Sequence, residues 1–165
     1  MASPPMREEV ITGYRADLAR LLTAVSSLSE QERNQAVAGD WSAKDILAHI
    51  AAWDRELVRG VEHLLAGQRP EFVSYVEDEF NARIVEAARY RSFVDVLADT
   101  QQAHAALIEA LKQLTDEQWS SGSVYSWADH TAMTIASLFS YRYRGETHYA
   151  GHAAEIESRS QANIT

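Results

Sequence analysis

The stretch from Ser42 to Ala66 restricts the fold more than any other. Ile46, Ile50, Trp53, Leu57, Val61 and Leu64 recur at intervals of three and four, the period of one helical face, and Gly67 with Pro70 closes the run. Its start is equally marked. Within Asp40-Trp41-Ser42-Ala43-Lys44-Asp45, Ser42 can accept from backbone amides and Asp45 stands three residues on, an acidic relative of the capping box. The same period returns in Val10, Ile11, Tyr14, Leu18, Leu21, Leu22 and Val25, approached by Pro4 and Pro5 and ended by Ser26, Ser27 and Ser29. It returns again between Ser92 and Leu114, through Phe93, Val96, Leu97, Leu107, Ile108, Leu111 and Leu114. A fourth long helix is expected from about Asp129 to Glu157, with Ile135, Leu138, Arg142, Gly145, Tyr149 and Ile156 on one side. Only 7 glycines and 3 prolines are present, too few turn formers for an all-β fold, so the expected class is all-α.

The connection between the second and third of these helices is long. Val76, Phe80, Ile84 and Val85 suggest an accessory helix inside Val73 to Arg89, with Glu77, Asp78 and Glu79 in its first turns as the helix dipole prefers. A link of this length allows a crossover bundle in place of antiparallel neighbours. Thr115-Asp116-Glu117-Gln118 reads as a capping box for a short turn presenting Trp119, and Ser120 to Trp127 reads as a loop over one end. With 165 residues, 46% hydrophobic and 24% charged, residues 1–165 are expected to form a single domain.

Charge and composition exclude several roles. A formal net charge of −9 argues against a phosphate-binding surface, so nucleic acid is not an expected partner. There is no cysteine, hence no thiolate ligand or cysteine nucleophile, and any metal must be held by His, Asp or Glu. MASPPMREE lacks the apolar core of a signal peptide and no run is long enough to span a bilayer, so a cytoplasmic protein without membrane contact is expected.

The chemistry-bearing residues lie mostly on the helices. If Tyr141 to Ile156 is helical, His148 and His152 are separated by about 40° around the axis and roughly 6 Å along it, so they share a face. Two imidazoles so placed can reach one ion about 2 Å from each ring nitrogen, but they need a third ligand. His49 lies on the shoulder of its helix's apolar stripe, beside Trp53, where a boundary histidine and a ligand are both acceptable readings. His104 falls within a core face and reads as a hydrogen-bonded core or pocket imidazole. Arg142, on an otherwise apolar face, requires either a carboxylate partner or a wet cavity in which it anchors an acidic or thiol-cofactor substrate, and Gly145 would leave space beside the histidines.

Trp41-Ser-Ala-Lys-Asp45-Ile-Leu-Ala-His49-Ile-Ala-Ala-Trp53, combined with a distant His148-Tyr-Ala-Gly-His152, resembles the DinB-like superfamily, which includes DinB proteins, bacillithiol and mycothiol S-transferases and maleylpyruvate isomerase-like domains. The resemblance spans the whole chain and implies a four-helix bundle with a long crossover between helices two and three. It also implies a divalent-metal site built from His49, His148 and His152, taking zinc or nickel ahead of manganese or iron, with a small-molecule substrate, in some members a low-molecular-weight thiol, and a homodimer. Asp45, one turn before His49, could orient that ring or simply cap its helix. Asp40 to Asp54, Glu79-Phe80-Asn81 and Tyr125-Ser126-Trp127 also resemble the colibactin self-resistance branch, in which a metal centre is not the rule. Three functions follow: a metal-dependent thiol transferase or hydrolase acting on a small electrophile; a metal-free protein that binds or hydrolyses such an electrophile in a pocket of Trp53, His104, Tyr141 and Arg142; and a noncatalytic bundle that dimerises.

Overall fold

The computed structural model describes residues 5–162, so Pro4, expected at the approach to the first helix, lies outside the described residues. Helices α1 (Arg7–Ser26) and α2 (Glu30–Arg33) lead into a small antiparallel hairpin of β1 (Ala36–Ala38) and β2 (Trp41–Ser42), followed by α3 (Ala43–Leu65). A 3-10 turn (Glu71–Ser74) and α4 (Glu77–Ala88) occupy the link to α5 (Phe93–Lys112), and α6 (Asp116–Ser120), α7 (Ile135–Leu138) and α8 (His148–Ala162) complete the order. The fold is all-α, a four-helix bundle of α1, α3, α5 and α8 with a long crossover between the second and third of them. No helix among the described residues is long and apolar enough to cross a membrane.

The helices begin where their caps dictate. Ser42 Oγ accepts from the Asp45 amide at 3.2 Å while Asp45 Oδ2 accepts from the Ser42 amide at 2.9 Å, which fixes the start of α3. Ser92 caps α5 and Thr115 caps α6, and Trp119, presented by that turn, is buried. α3 lies along α5 and α1 along α8, and the pairs close over Leu21, Ile46, Leu47, Ile50, Leu107, Leu111 and Ile156, all fully buried. Each such side chain contributes roughly 1.5–3 kcal/mol by leaving water, which makes this stripe-to-stripe contact the main source of stability. The crossover is seated at Gly60, where a Cβ would stand 2.7 Å from Phe72 Cε1 and 3.3 Å from Leu138 Cδ1.

The last helix is shorter than expected. Residues 121–147 do not continue it: Ser126 and Ala132 form a bridge, Thr134 caps the single turn α7, and Tyr143 to Glu146 form a tight reversal. Arg144 (φ 54°) and Gly145 (φ 80°) occupy its two central positions, and Tyr143 and Glu146 exchange both backbone hydrogen bonds at 2.9 and 3.0 Å, the arrangement of a type I′ hairpin. Gly145 therefore serves the turn and is not part of a helix face running into the histidines, because a helix cannot pass through two successive left-handed residues. Thr147 then bonds Asp17 of α1, and α8 starts at His148.

A buried polar chain crosses this core. The Tyr149 hydroxyl donates to Asp54 Oδ2 and lies 3.0 Å from His104 Nδ1, with all three residues buried. Burial pushes the Asp54 carboxyl up to about 7, against the opposing pulls of the Tyr149 hydrogen bond and of Arg55. Burial likewise lowers His104, helped by Arg15.

Two predictions follow from this packing. Gly60→Ala should destabilise by about 1–3 kcal/mol through overpacking, whereas Gly13→Ala, where a Cβ meets nothing within 4 Å, should stabilise by about 0.5–1 kcal/mol; equal effects of the two in denaturant melts would contradict the seating of the crossover. Asp54 holds its proton more tightly in the fold than at its ordinary value of 3.8, so its contribution is full below about pH 4 and is lost as pH rises through about 7. Thermal melts of Asp54→Asn should accordingly lose less stability than the parent between pH 5 and 8, and parallel profiles would refute the shift.

Candidate metal centre

His49 projects from α3, and His148 and His152 from the first turn and a half of α8. Their rings form a nearly equilateral triangle, with centroids 4.8 Å (His49–His148), 5.2 Å (His49–His152) and 5.0 Å (His148–His152) apart. The capped start of α3 sets the height of His49. The i, i+4 spacing on α8 puts the other two rings on the face turned towards it. His49 and His152 are buried and His148 is half-buried. One candidate ligand nitrogen from each ring lies within 4.8 Å of the others. Nitrogens bound at about 2.1 Å each to one tetrahedral ion stand about 3.4 Å apart, so ring rotations of about an ångström would bring the group to bonding distance.

All three imidazoles are neutral near pH 7. Burial pushes His49 down to about 3, with His152 adding to the shift and the Asn81 side chain opposing it. Burial, then His49 and His152, hold His148 well below the ordinary histidine range, and burial lowers His152 against the pull of Glu155. A neutral ring has one lone pair and one N–H, and the contacts show how these are distributed. His152 Nδ1 lies 2.8 Å from Glu155 Oε2, so Nδ1 carries the hydrogen and Nε2 the lone pair. His49 Nε2 and His148 Nε2 face one another at 2.8 Å, so one of them donates to the other, while His49 Nδ1 is buried with no hydrogen-bond partner among the described residues. An ion held by these rings would take the place of that shared hydrogen, and each ring's N–H would then be carried at Nδ1. The donor set fits a borderline transition ion better than an oxygen-seeking one.

Aromatic rings wall the triangle. Trp41 lies 4.9 Å from His49 and stacks at 6.4 Å on His152, which Tyr143 also approaches at 4.7 Å. Trp53 approaches His49 at 6.3 Å and donates from Nε1 to Asn81 Oδ1 at 3.0 Å. Tyr141, 56% exposed, stands edge-on to His148 at 5.9 Å. The four residues expected to line one pocket are divided. Trp53 and Tyr141 border the histidines, but His104 belongs to the Asp54–Tyr149 chain, and no ring or hydrogen-bond contact among the described residues joins it to the triangle. Arg142 is exposed and donates to the Tyr141 and Phe139 carbonyls, because the segment carrying it is not helical and has no apolar face on which to strand a charge. Asp45 is occupied as a cap, accepting from Ser42 N and Oγ, and does not orient His49.

Sequence reasoning missed Trp41 as a wall, Tyr143, Gly151 and Glu155. Only Glu155 carried a readable signal, three residues after His152 on the same helix face. The others depend on the β1–β2 and Tyr143–Glu146 hairpins.

The comparisons agree with this architecture. A model of the DinB superfamily matches residues 14–156. A comparison with curated proteins finds no match. Among solved structures, an uncharacterised protein from Escherichia coli UTI89 aligns with a TM-score of 0.76 at 13% identity, over 97% of this chain and 96% of that one. YfiT from Bacillus subtilis, described as a probable metal-dependent hydrolase with an unusual four-helix bundle topology, gives 0.67 at 19% identity over 99% and 91%. A mycothiol-dependent maleylpyruvate isomerase gives 0.67 at 14% identity, over 98% of this chain but 62% of that one. At these identities the likeness speaks for the fold alone. With most of its length matched by the family model and a bundle of the same topology, the chain belongs to the DinB superfamily.

Proposed function

We propose that this protein holds one divalent ion on His49, His148 and His152 and uses it in thiol transfer to, or hydrolysis of, a small electrophile. The observation that carries the reading is the convergence of three neutral, largely buried ring nitrogens from two helices, 99 positions apart in the chain at the closest pair. Neutral imidazoles are costly to leave facing one another in a dry space and are ready to donate lone pairs there. The fold is shared with YfiT, described as a probable metal-dependent hydrolase, and with a mycothiol-dependent maleylpyruvate isomerase, which supports a reactive centre in preference to a structural one. Zinc or nickel suits an all-imidazole set ahead of manganese or iron.

Three protein ligands leave a position open, and the ion, when bound, supplies there the positive charge that acidifies a water or a thiol. The chain's own side chains do the remaining work. Trp41, Trp53 and Tyr143 keep bulk water from the flanks of the triangle, which strengthens every electrostatic interaction inside it. His148, half-buried beside the exposed Tyr141 ring, marks the side on which a small molecule enters. A low-molecular-weight thiol is the proposed co-substrate.

Protein purified without a histidine tag should retain or rebind close to one zinc or nickel ion per chain by elemental analysis. His49→Ala should weaken that affinity by more than about 100-fold, beyond the 10–100-fold typical of losing only a ligand's hydrogen-bond partner. Chelation should abolish turnover of a thiol with a test electrophile, and readdition of the ion should restore it. Failure to bind any divalent ion, or an unchanged affinity in a folded His49→Ala variant, refutes the reading.

A further inference from the structure

The three histidines are not held alike. His49 Nδ1 has no hydrogen-bond partner among the described residues, whereas His152 Nδ1 is held by a carboxylate. Its ring lies between Trp41 and Tyr143, with interplanar angles of 24° and 33°, and its Nδ1 meets Glu155 Oε2 at 2.8 Å. The other oxygen of the same carboxylate accepts from the Tyr143 hydroxyl at 2.8 Å and lies 3.6 Å from Arg144 Nη1. Glu155 thus joins the ring of His152 to the hairpin that immediately precedes His148.

The hairpin reaches Glu155 because of one glycine. A Cβ on Gly151 would stand 2.6 Å from Tyr143 Cδ1 and 2.7 Å from the Tyr143 carbonyl oxygen, so only a bare backbone lets Tyr143 pack this closely on α8 and reach the ring of His152. Tyr143 is then half-buried, with its ring on His152 and its hydroxyl on Glu155.

We propose that Glu155 is a positioning residue of the three-histidine centre, holding His152 with its Nε2 lone pair turned inward, and that Tyr143, seated on Gly151, holds Glu155 in that pose. This rests on the metal reading above for its effect on an ion, but its effect on the tautomer of His152 exists without one. A carboxylate behind a ligating imidazole fixes ring orientation and raises donor strength, and losing such a partner commonly weakens metal affinity 10–100-fold. The tyrosine adds a second restraint, since a carboxylate already engaged on its far oxygen has fewer rotamers open to it. His152 is the preformed corner of the triangle, and His49 the one that adjusts.

The test uses the full chain and Co2+ as probe, with two readouts. Nitrogen-15 spectra of the metal-free protein, assigned with His152→Gln, should show His152 protonated at Nδ1, and Glu155→Ala should lose that single tautomer. Titration with Co2+ should show affinity reduced about 10–100-fold in Glu155→Ala with an altered visible spectrum, less in Glu155→Gln, which keeps an acceptor oxygen, and several-fold in both Tyr143→Phe and Gly151→Ala. If Glu155→Ala folds poorly, the Glu155→Gln and Tyr143→Phe variants decide, and wild-type affinity and spectrum in both overturn the proposal. Wild-type affinity together with an unchanged His152 tautomer in Glu155→Ala overturns it while leaving the metal reading intact. A parent protein that ignores Co2+ yet shows the Glu155-dependent tautomer removes the metal reading and upholds Glu155 as the group that sets His152.

Discussion

Three imidazoles can share a dry space at neutral pH only if none of them is charged, and that requirement governs the centre of this molecule. Burial supplies it: desolvation is the first cause of the lowered proton affinity of His49, His148 and His152 alike. The same burial leaves ring nitrogens that face one another without satisfying every donor and acceptor, as the His49–His148 contact and the unpartnered His49 Nδ1 record. A group of donors that disfavours protons and cannot satisfy itself is well prepared for a cation that brings no proton.

The scaffold delivers these rings through short-range devices as much as through the bundle core. Ser42 and Asp45 set the first residue of α3, which sets the height of His49 six residues later. On the opposite side, the Arg144-Gly145 turn and Thr147 fix the first residue of α8, which is itself His148. Arg20 of α1 binds Glu146 and Glu157 together, at 2.8 and 2.7 Å, and so ties the hairpin and α8 to the same neighbour. The small β1–β2 hairpin turns Trp41 over His49 and His152. Each device is local, and the bundle brings their products to one point.

Legibility followed the same division. The amphipathic stripes of α1, α3 and α5 could be read closely, because one period describes each of them and a serine cap marks the start of α3 and of α5. The histidine pair on α8 was also legible, and similarity to a family joined His49 to it. The expected fourth helix failed at its beginning because Ile135, Leu138, Arg142, Gly145 and Tyr149 happen to keep a helical spacing across a segment that is not a helix. Two of those residues, Ile135 and Leu138, are buried through the single turn α7, which preserved the appearance of the pattern. Arg144-Gly145 is a turn pair whose mark is the glycine alone, and an arginine at positive φ gives no warning in sequence. Tyr143, Arg142 and Trp41 take their places from that turn and from the β1–β2 hairpin, so no reading of periodicity could have located them.

The central claim is that the rings at positions 49, 148 and 152 meet on one ion. X-ray absorption of protein loaded with one equivalent of zinc tests it most directly. The account predicts three imidazole nitrogens at about 2.0–2.1 Å, with the multiple-scattering pattern of the rings falling to two in a folded His49→Ala variant. A spectrum dominated by oxygen neighbours, or one that His49→Ala leaves unchanged, would contradict it.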